Sequence, residues 1–261
     1  MSFPTYRKHY LPAFSPAQIA ALPAKETALV IIPTGAIEQH GPQLPVGVDA
    51  IMGQAWLSCA LEKVPEGTPV FVAPPVTIGK SNEHVGYPGT LFISAKILRR
   101  LVHAICAQCY AWGFRQFAFL NTHGGNLSVL QACMQELQAE KDDVRTFFLK
   151  SGFSPPLSKQ EAAYGFHANQ AETAWMLAAT EDHSLVDTTY LPCEYPGSVD
   201  DPAELRAECA PATYSWVTAD ISDSGVVGDA SAATLEDGRE WLEKGAAALA
   251  ERIVELAGRP S

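Results

Sequence analysis

The sequence predicts an α/β fold, a mainly parallel sheet with helices on both faces, and three observations predict it. Residues 27–33, 69–74, 116–120 and 144–149 are short runs of continuous apolar character, as expected of strands buried on both faces. The runs alternate with segments whose apolar residues recur at helical spacing, and a repeated β-loop-α order favours parallel pairing. Polar, chemistry-capable residues follow directly after three of the runs, where open α/β sheets form their ligand crevices.

Taken in order, Ser15-Pro16 reads as an N-cap followed by proline at the first helical position, opening a short helix to about Leu22. The first strand, Thr27 to Pro33, carries Leu29, Val30, Ile31 and Ile32. Ala50 to Lys63 is helical, with Ile51, Ala55, Leu57 and Leu61 on one side, and ends at Pro65-Glu-Gly67. The second strand runs from Pro69 to Pro74. Ser94 caps a long amphipathic helix to Trp112, which Gly113 stops. Gln116 to Leu120 is the third strand, and the next helix carries Leu130, Cys133, Met134 and Leu137 on its inner face. Val144 to Leu149 is the fourth strand. Glu172 opens a helix bearing Trp175, Met176 and Leu177. From Thr180 to about Asp229 periodicity fades among prolines 192, 196, 202 and 211, which reads as long loops. Asp229 or Ser231 caps the last helix, which carries Leu235, Leu242, Leu249, Ile253 and Leu256.

At 261 residues the chain fits one large domain, residues 1–261, and is short for two. Lysine and arginine number 18 against 29 acidic residues, a formal charge of −11, with no basic stripe. This disfavours nucleic acid and anionic membrane surfaces as partners. No apolar run reaches the ~20 residues of a bilayer span, and Met1 to Tyr10 lacks a signal peptide's apolar stretch, so the expectation is a cytoplasmic protein. Cys106 and Cys109 form a CxxC with no second pair to answer it. Both fall on the apolar face of a helical pattern and read as core.

The densest chemistry lies in Pro33-Thr-Gly-Ala-Ile-Glu-Gln-His-Gly-Pro-Gln-Leu-Pro-Val-Gly-Val-Asp49. Glu38 and His40 are two apart, so an extended segment directs both side chains the same way. Pro42, Pro45 and Gly47 then turn the chain and bring Asp49 back. Histidine and carboxylate ligands suit Zn, Mn or Fe(II), and an aspartate can bridge two ions. A Glu and a His in a polar loop also read as solvated side chains. Glu83 and His84 follow the second strand, and Asn121-Thr-His-Gly-Gly-Asn126 follows the third. Gly124 and Gly125 leave the backbone bare at a helix start, where amides face a negative ligand. His123 reads equally as an ordinary loop histidine, and Glu172 as a residue complementing a helix dipole.

Together, Glu38-Gln-His40-Gly with Asp49, Glu83-His84 to Pro88-Gly-Thr90, Asn121-Thr-His-Gly-Gly-Asn126, His167 with Glu172-Thr173, and Gly225-Val-Val-Gly-Asp229 resemble the creatininase (creatinine amidohydrolase) family over roughly residues 25 to 245. The resemblance implies a three-layer α/β/α fold, two divalent metal ions per chain (Zn, Mn or Fe) and hydrolysis of a C–N bond. It also implies a homo-oligomer, often a homohexamer. Carried over, Asp49 bridges the ions, Glu38 and His123 hold one, and His40 and Glu172 the other. The chain departs from creatinine hydrolases in carrying Gly124-Gly125 where they have a Tyr-Glu pair, and Ala163 where they place a tryptophan over the substrate. The expected substrate is therefore another small molecule, a cyclic amide, lactam or formamide.

Two ions about 3.5–4 Å apart hold a hydroxide at neutral pH and polarise the carbonyl it attacks. His167 is the expected proton donor to the departing nitrogen, with Glu172 beside it as ligand and catalytic residue. Asn126 and the Gly124-Gly125 backbone are expected to bind the substrate's polar edge, with His84 and Glu83 as further contacts. The alternatives are a creatinine amidohydrolase proper, and a non-catalytic metal-binding or scaffold protein of the same fold. No G-x-S-x-G, G-x-G-x-x-G, P-loop or H-E-x-x-H signature occurs.

Overall fold

A computed structural model describes residues 4–180, 183–197, 205 and 215–259. Its centre is a strand, β1 (Leu29–Thr34), in which every residue is buried. β2 (Val70–Val72), β3 (Gln116–Asn121) and β4 (Arg145–Phe148) join it in the order β2-β1-β3-β4, all parallel. Leu29 pairs with Val70 on one side and with Gln116 on the other. The outer edge of β2 is covered by the N-terminal segment, where the Val72 amide donates to His9 O at 2.7 Å and Tyr10 bridges Val72 in parallel.

Alternation along the strands divides the core in two. Val30, Ile32, Phe117 and Phe119 pack with Leu98, Val102, Cys106 and Cys109 of α3 (Ala95–Ala111) and Leu130, Cys133 and Leu137 of α4 (Leu127–Glu140). Leu29, Ile31, Ala118 and Leu120 face the other way. They pack on Leu57, Ala60 and Leu61 of α2 (Val48–Leu61) and on Leu249, Ile253 and Leu256 of α7 (Leu235–Leu256). The expected α/β/α layering follows, with Cys106 and Cys109 in the core. Each fully buried aliphatic side chain contributes about 1.5–3 kcal/mol over leaving it in water.

The short N-terminal helix α1 (Pro16–Ala21) begins at Ser15, whose hydroxyl accepts from the Gln18 amide while the Gln18 side chain accepts from Ser15 N. A further helix, α5 (Lys159–Tyr164), lies in a stretch to which the sequence assigns no element. It is capped by Ser158 and precedes α6 (Gln170–Ala179), the helix that carries Glu172. α6 packs on α7 and α2.

In the region of faded periodicity, β5 (Cys193–Glu194) and β6 (Gly228–Asp229) form a small antiparallel ladder. Residues 198–204 and 206–214, including Pro202, Cys209 and Pro211, lie outside the described residues. Two sequence expectations are corrected. The helix after β1 starts at Val48, two residues earlier than expected, so Asp49 sits in its first turn, where a carboxylate complements the exposed amides. The cap of α7 is Thr234, whose side chain accepts from Asp237 N at 3.1 Å; Asp229 instead caps a 3-10 turn, Ala230–Ala232.

Thr234→Ala is expected to lower stability by about 0.5–2 kcal/mol, the usual value of an N-cap hydroxyl. A urea midpoint at unchanged m-value measures it, and an unchanged midpoint would contradict this cap assignment.

Candidate metal centre

The chain leaves β1, crosses through α2 to β2 on one side, then returns through α3 to β3 on the other side of β1. This reversal opens a crevice at the carboxyl ends of β1 and β3. Glu38, His40 and Asp49 come from the β1 loop and the start of α2, and His123 from the end of β3. All four are buried, with exposures of 1–5 %. Glu172 reaches the same point from the first turn of α6. There Asn169 accepts from the Glu172 amide at 3.0 Å, and Glu172 Oε2 accepts from Ala168 N at 2.5 Å.

Backbone carbonyls orient the imidazoles. His40 Nδ1 donates to Glu38 O at 3.1 Å, which leaves Nε2 facing Asp49 Oδ1 at 3.6 Å and Glu172 Oε2 at 3.9 Å. His123 Nε2 donates to Lys80 O at 3.0 Å, which leaves Nδ1 facing Glu38 Oε2 at 3.1 Å and Asp49 Oδ2 at 3.4 Å. The two oxygens of Asp49 thus address two different histidines. His40 Nε2 and Asp49 Oδ2 are buried and have no hydrogen-bond partner. Unsatisfied polar atoms of this kind are costly in a protein interior and call for a ligand. Ligand atoms cluster as His40, Asp49 and Glu172, as Glu38, Glu83 and His123, and as Glu38, His40 and His167. An all N/O donor set of this kind fits Zn, Mn or Fe(II).

The electrostatics also call for positive charge. Burial raises Asp49, and the neighbouring Glu38 raises it further. Burial pushes Glu172 up to about 7 against the opposing pull of His40. Burial opposes the charged form of His40, yet Asp49, Glu172 and Glu38 raise it to about 9. His123 rises well above its usual value against burial because Glu38, Glu83 and Asp49 surround it. Glu38 is held below the ordinary carboxylate range because His123, His167 and His84 outweigh its burial. In the metal-free protein, protons supply the charge that cations would bring.

His167 stands between two other rings, 4.3 Å from His40 and 4.2 Å from His84 by centroids. Its Nε2 donates to Gln39 O at 2.7 Å, so Nδ1 is the bare nitrogen and lies 3.7 Å from Glu38 Oε1. Burial, reinforced by His40 and His84, holds it well below its usual pKa. Its backbone pairs with Val227, which anchors the ring to the β6 segment. Gln39 was not anticipated as part of the site. Its amide is fixed by Gly41 N at 2.9 Å and Gly225 O at 3.0 Å, and its second hydrogen meets His84 Nδ1 at 2.9 Å. His84 therefore carries its hydrogen on Nε2, directed at Glu38 Oε1 3.5 Å away.

Other expected contacts divide. Gly124, Gly125, Glu83, His84 and His167 line one cavity of about 430 Å³ with Glu38 and His123. Gly125 is obligatory, because a Cβ there would lie 2.2–2.4 Å from Glu83 Oε1, Lys80 O and His123 Nε2. Glu83 also backs His123 Nε2 at 3.2 Å. Asn126 is fully buried and is not among the residues lining this cavity. Its amide is consumed by Gly35 O at 3.0 Å, Asn121 Oδ1 at 3.3 Å and Lys80 N at 2.9 Å, tying together the loops after β1, β2 and β3. An aromatic wall exists despite Ala163, supplied by Phe166 and Trp216 with ring centroids 5.9 Å apart. Trp216 lies in the stretch without periodicity, so no local pattern could point to it. Among the described residues, no helix is long and apolar enough to cross a membrane.

A profile of the creatininase family, described as creatinine amidohydrolase, matches residues 13–253. A mycofactocin precursor peptide peptidase of Mycolicibacterium smegmatis is 32 % identical over 227 residues, covering 86 % of this chain and 84 % of that protein. A 3-dehydro-scyllo-inosose hydrolase of Thermotoga maritima is 26 % identical over 247 residues, covering 84 % and 74 %. Among solved structures, a creatininase described as Mn superposes with a TM-score of 0.70 at 23 % identity, covering 95 % of this chain and 98 % of that one. A creatininase variant of Zn-Zn type gives 0.73 at 22 % identity, covering 97 % and 98 %. With the fold, the buried donor set and a profile spanning nearly its whole length in agreement, this chain belongs to the creatininase family.

Proposed function

We propose that this hydrolase cleaves a C–N bond of amide type in a small substrate, with two divalent ions held by Glu38, His40, Asp49, His123 and Glu172. The observation that carries the reading is the pair of Asp49 oxygens, one facing His40 and the other His123. Glu38 and His123 hold one ion in this reading, His40 and Glu172 the other, and Asp49 both. Bound divalent ions supply Lewis acidity toward a carbonyl and bring the pKa of water from 15.7 towards ~7.

The chain's own residues do the rest. His167, neutral at pH 7, offers its bare Nδ1 to the proton of the attacking water and hands it to the departing nitrogen. This transfer is needed because an amide anion leaves poorly. His84 and the bare Gly124-Gly125 backbone line the side of the cavity taken by the substrate's polar edge, while Phe166 and Trp216 cover its apolar side.

A cyclic amide, lactam or formamide is the favoured substrate class, with creatinine a poor one because Gly124-Gly125 and Ala163 replace the residues that creatinine hydrolases use. A second reading, a peptide-like amide, is favoured by the peptidase name of the M. smegmatis relative. A panel of creatinine, lactams, formamides and short peptides, assayed on the metal-loaded chain, separates these readings. Failure to turn over any amide would favour the non-catalytic alternative. We further propose a cytoplasmic homo-oligomer, on family resemblance; size-exclusion with light scattering tests its assembly.

Metal analysis should find about two divalent ions per chain. Asp49→Ala should lose both, and undiminished metal in that variant would sink the bridging assignment. Loading the metal-free protein at pH 7 should release protons, because His40, with a pKa of about 9, is protonated there and must be neutral to bind. Metal affinity should therefore weaken as pH falls, and binding calorimetry in buffers of different ionisation enthalpy reads the proton count.

His167→Asn should keep its metal while turnover falls by ~10²–10⁴-fold. An activated anilide or ester should suffer much less, since its leaving group needs little proton assistance. Loss of metal would instead make His167 a ligand.

A further inference from the structure

A further buried carboxylate, Glu161 of α5, stands outside the metal centre with an exposure of 1 %. Its Oε1 accepts from Gln170 N at 2.8 Å, the first amide of α6. Its Oε2 accepts from Tyr195 Oη at 2.8 Å and from Asp229 N at 3.0 Å. Among the described residues no cation pairs with it. The backbone is cut away around it as well: a Cβ at Gly165 would lie 2.4 Å from the carboxylate carbon, and one at Gly228 3.0 Å from Oε1.

These partners belong to the two segments that build one wall of the site. Gly165 and Gln170 bracket His167, and Gly228 and Asp229 follow Val227, with which His167 pairs. Gln170 is also the first residue of the helix whose third residue is Glu172. We propose that Glu161 is a positioning residue, fixing both the start of α6 and the His167–Val227 pairing, and so setting where Glu172 and His167 stand. This rests on the roles that the metal-site reading gives those two residues. The carboxylate also lies where the helix's free amides favour negative charge.

An acceptor-only group is required here. Glutamine has nearly the same shape, but its NH2 group must face either Gln170 N or Oε2's partner Asp229 N, and either leaves a buried backbone donor unpaired. Tyr195 can turn its hydroxyl to accept, whereas the amides cannot.

The test compares the full chain with Glu161→Gln after stripping and reloading with Zn(II) or Co(II). Chelator competition resolves the two binding steps, Co(II) visible absorption reports coordination geometry, and thermal unfolding reports the fold. The expected result is a weakening of one step, that of the ion assigned to His40, Asp49 and Glu172, by about 10–100-fold, with an altered Co(II) band. The other step should be unchanged. Tyr195→Phe, which removes one donor and keeps the charge, should give a smaller change of the same kind. It decides the matter on the same criteria if Glu161→Gln does not fold. Unchanged steps and band would overturn the inference. Equal weakening of both steps with a fallen Tm would also overturn it, by making Glu161 a general stabiliser. A wild-type chain that fails to bind two ions would instead remove the metal-site reading, and this inference with it.

Discussion

Carboxylates that converge away from water must find positive charge or hydrogen-bond donors. Glu38, Asp49 and Glu172 meet around two imidazoles whose other nitrogens are already committed to backbone carbonyls. Rotation of either ring to escape the carboxylates would break those bonds and leave a buried carbonyl unpaired. The centre is thus held in its geometry before any ion arrives, and the loops around it are shaped to keep it so. Asn126 ties three of them together, Gly125 lets the chain pass against His123, and Ala168 adopts a left-handed backbone (φ 51°) so that its amide can meet Glu172. A non-glycine residue in that region is strained, and strain of this kind persists only where surrounding structure over-determines it.

The sheet explains why these loops meet at all. Reversal of strand order at β1 sends α2 to one face and α3 and α4 to the other, so the loops after β1 and β3 diverge above the sheet and leave a crevice. Packing on both faces makes β1 rigid, and Asp49 and His123 inherit that rigidity by sitting within a turn of sheet or helix. Glu172 and His167 have no such sheet beneath them. Their segment is held by α5, the β5–β6 ladder and the contacts of α6 with α7, which is where a buried hydrogen-bond hub is most needed.

The parallel strands were legible because each is a continuous apolar run with a helical pattern behind it. Glu38, His40, Asp49 and His123 were legible because their residue types follow strand ends at short spacing. The limits of sequence reading have identifiable causes. Asp49 reads as loop because glycine at the helix start and valine after it carry a weak boundary signal, while the α7 cap reads as Asp229 or Ser231 because several capping residues crowd residues 229–234. α5 is short and follows two prolines, so its pattern carries no helical signal of its own. Asn126 carries the same amide whether it faces substrate or backbone, and only the three partners it meets across the fold decide. Trp216 and Gln39 acquire their places through contacts distant in the chain, which no local periodicity records.

Glu161 and Asp49 show one functional group in two surroundings. Both are buried carboxylates, with exposures of 1 % and 3 %. Glu161 has each oxygen met by hydrogen donors from the backbone or Tyr195, so its charge is already solvated by fixed dipoles and an added cation would have to displace them. Asp49 has an oxygen without any donor, and its nearest neighbours are imidazole nitrogens that are themselves metal ligands by type. The sequence singles out Asp49 by the motif it closes and gives Glu161 no mark of its own. The count of donors around each oxygen separates a carboxylate whose charge the protein itself meets from one with an oxygen left open.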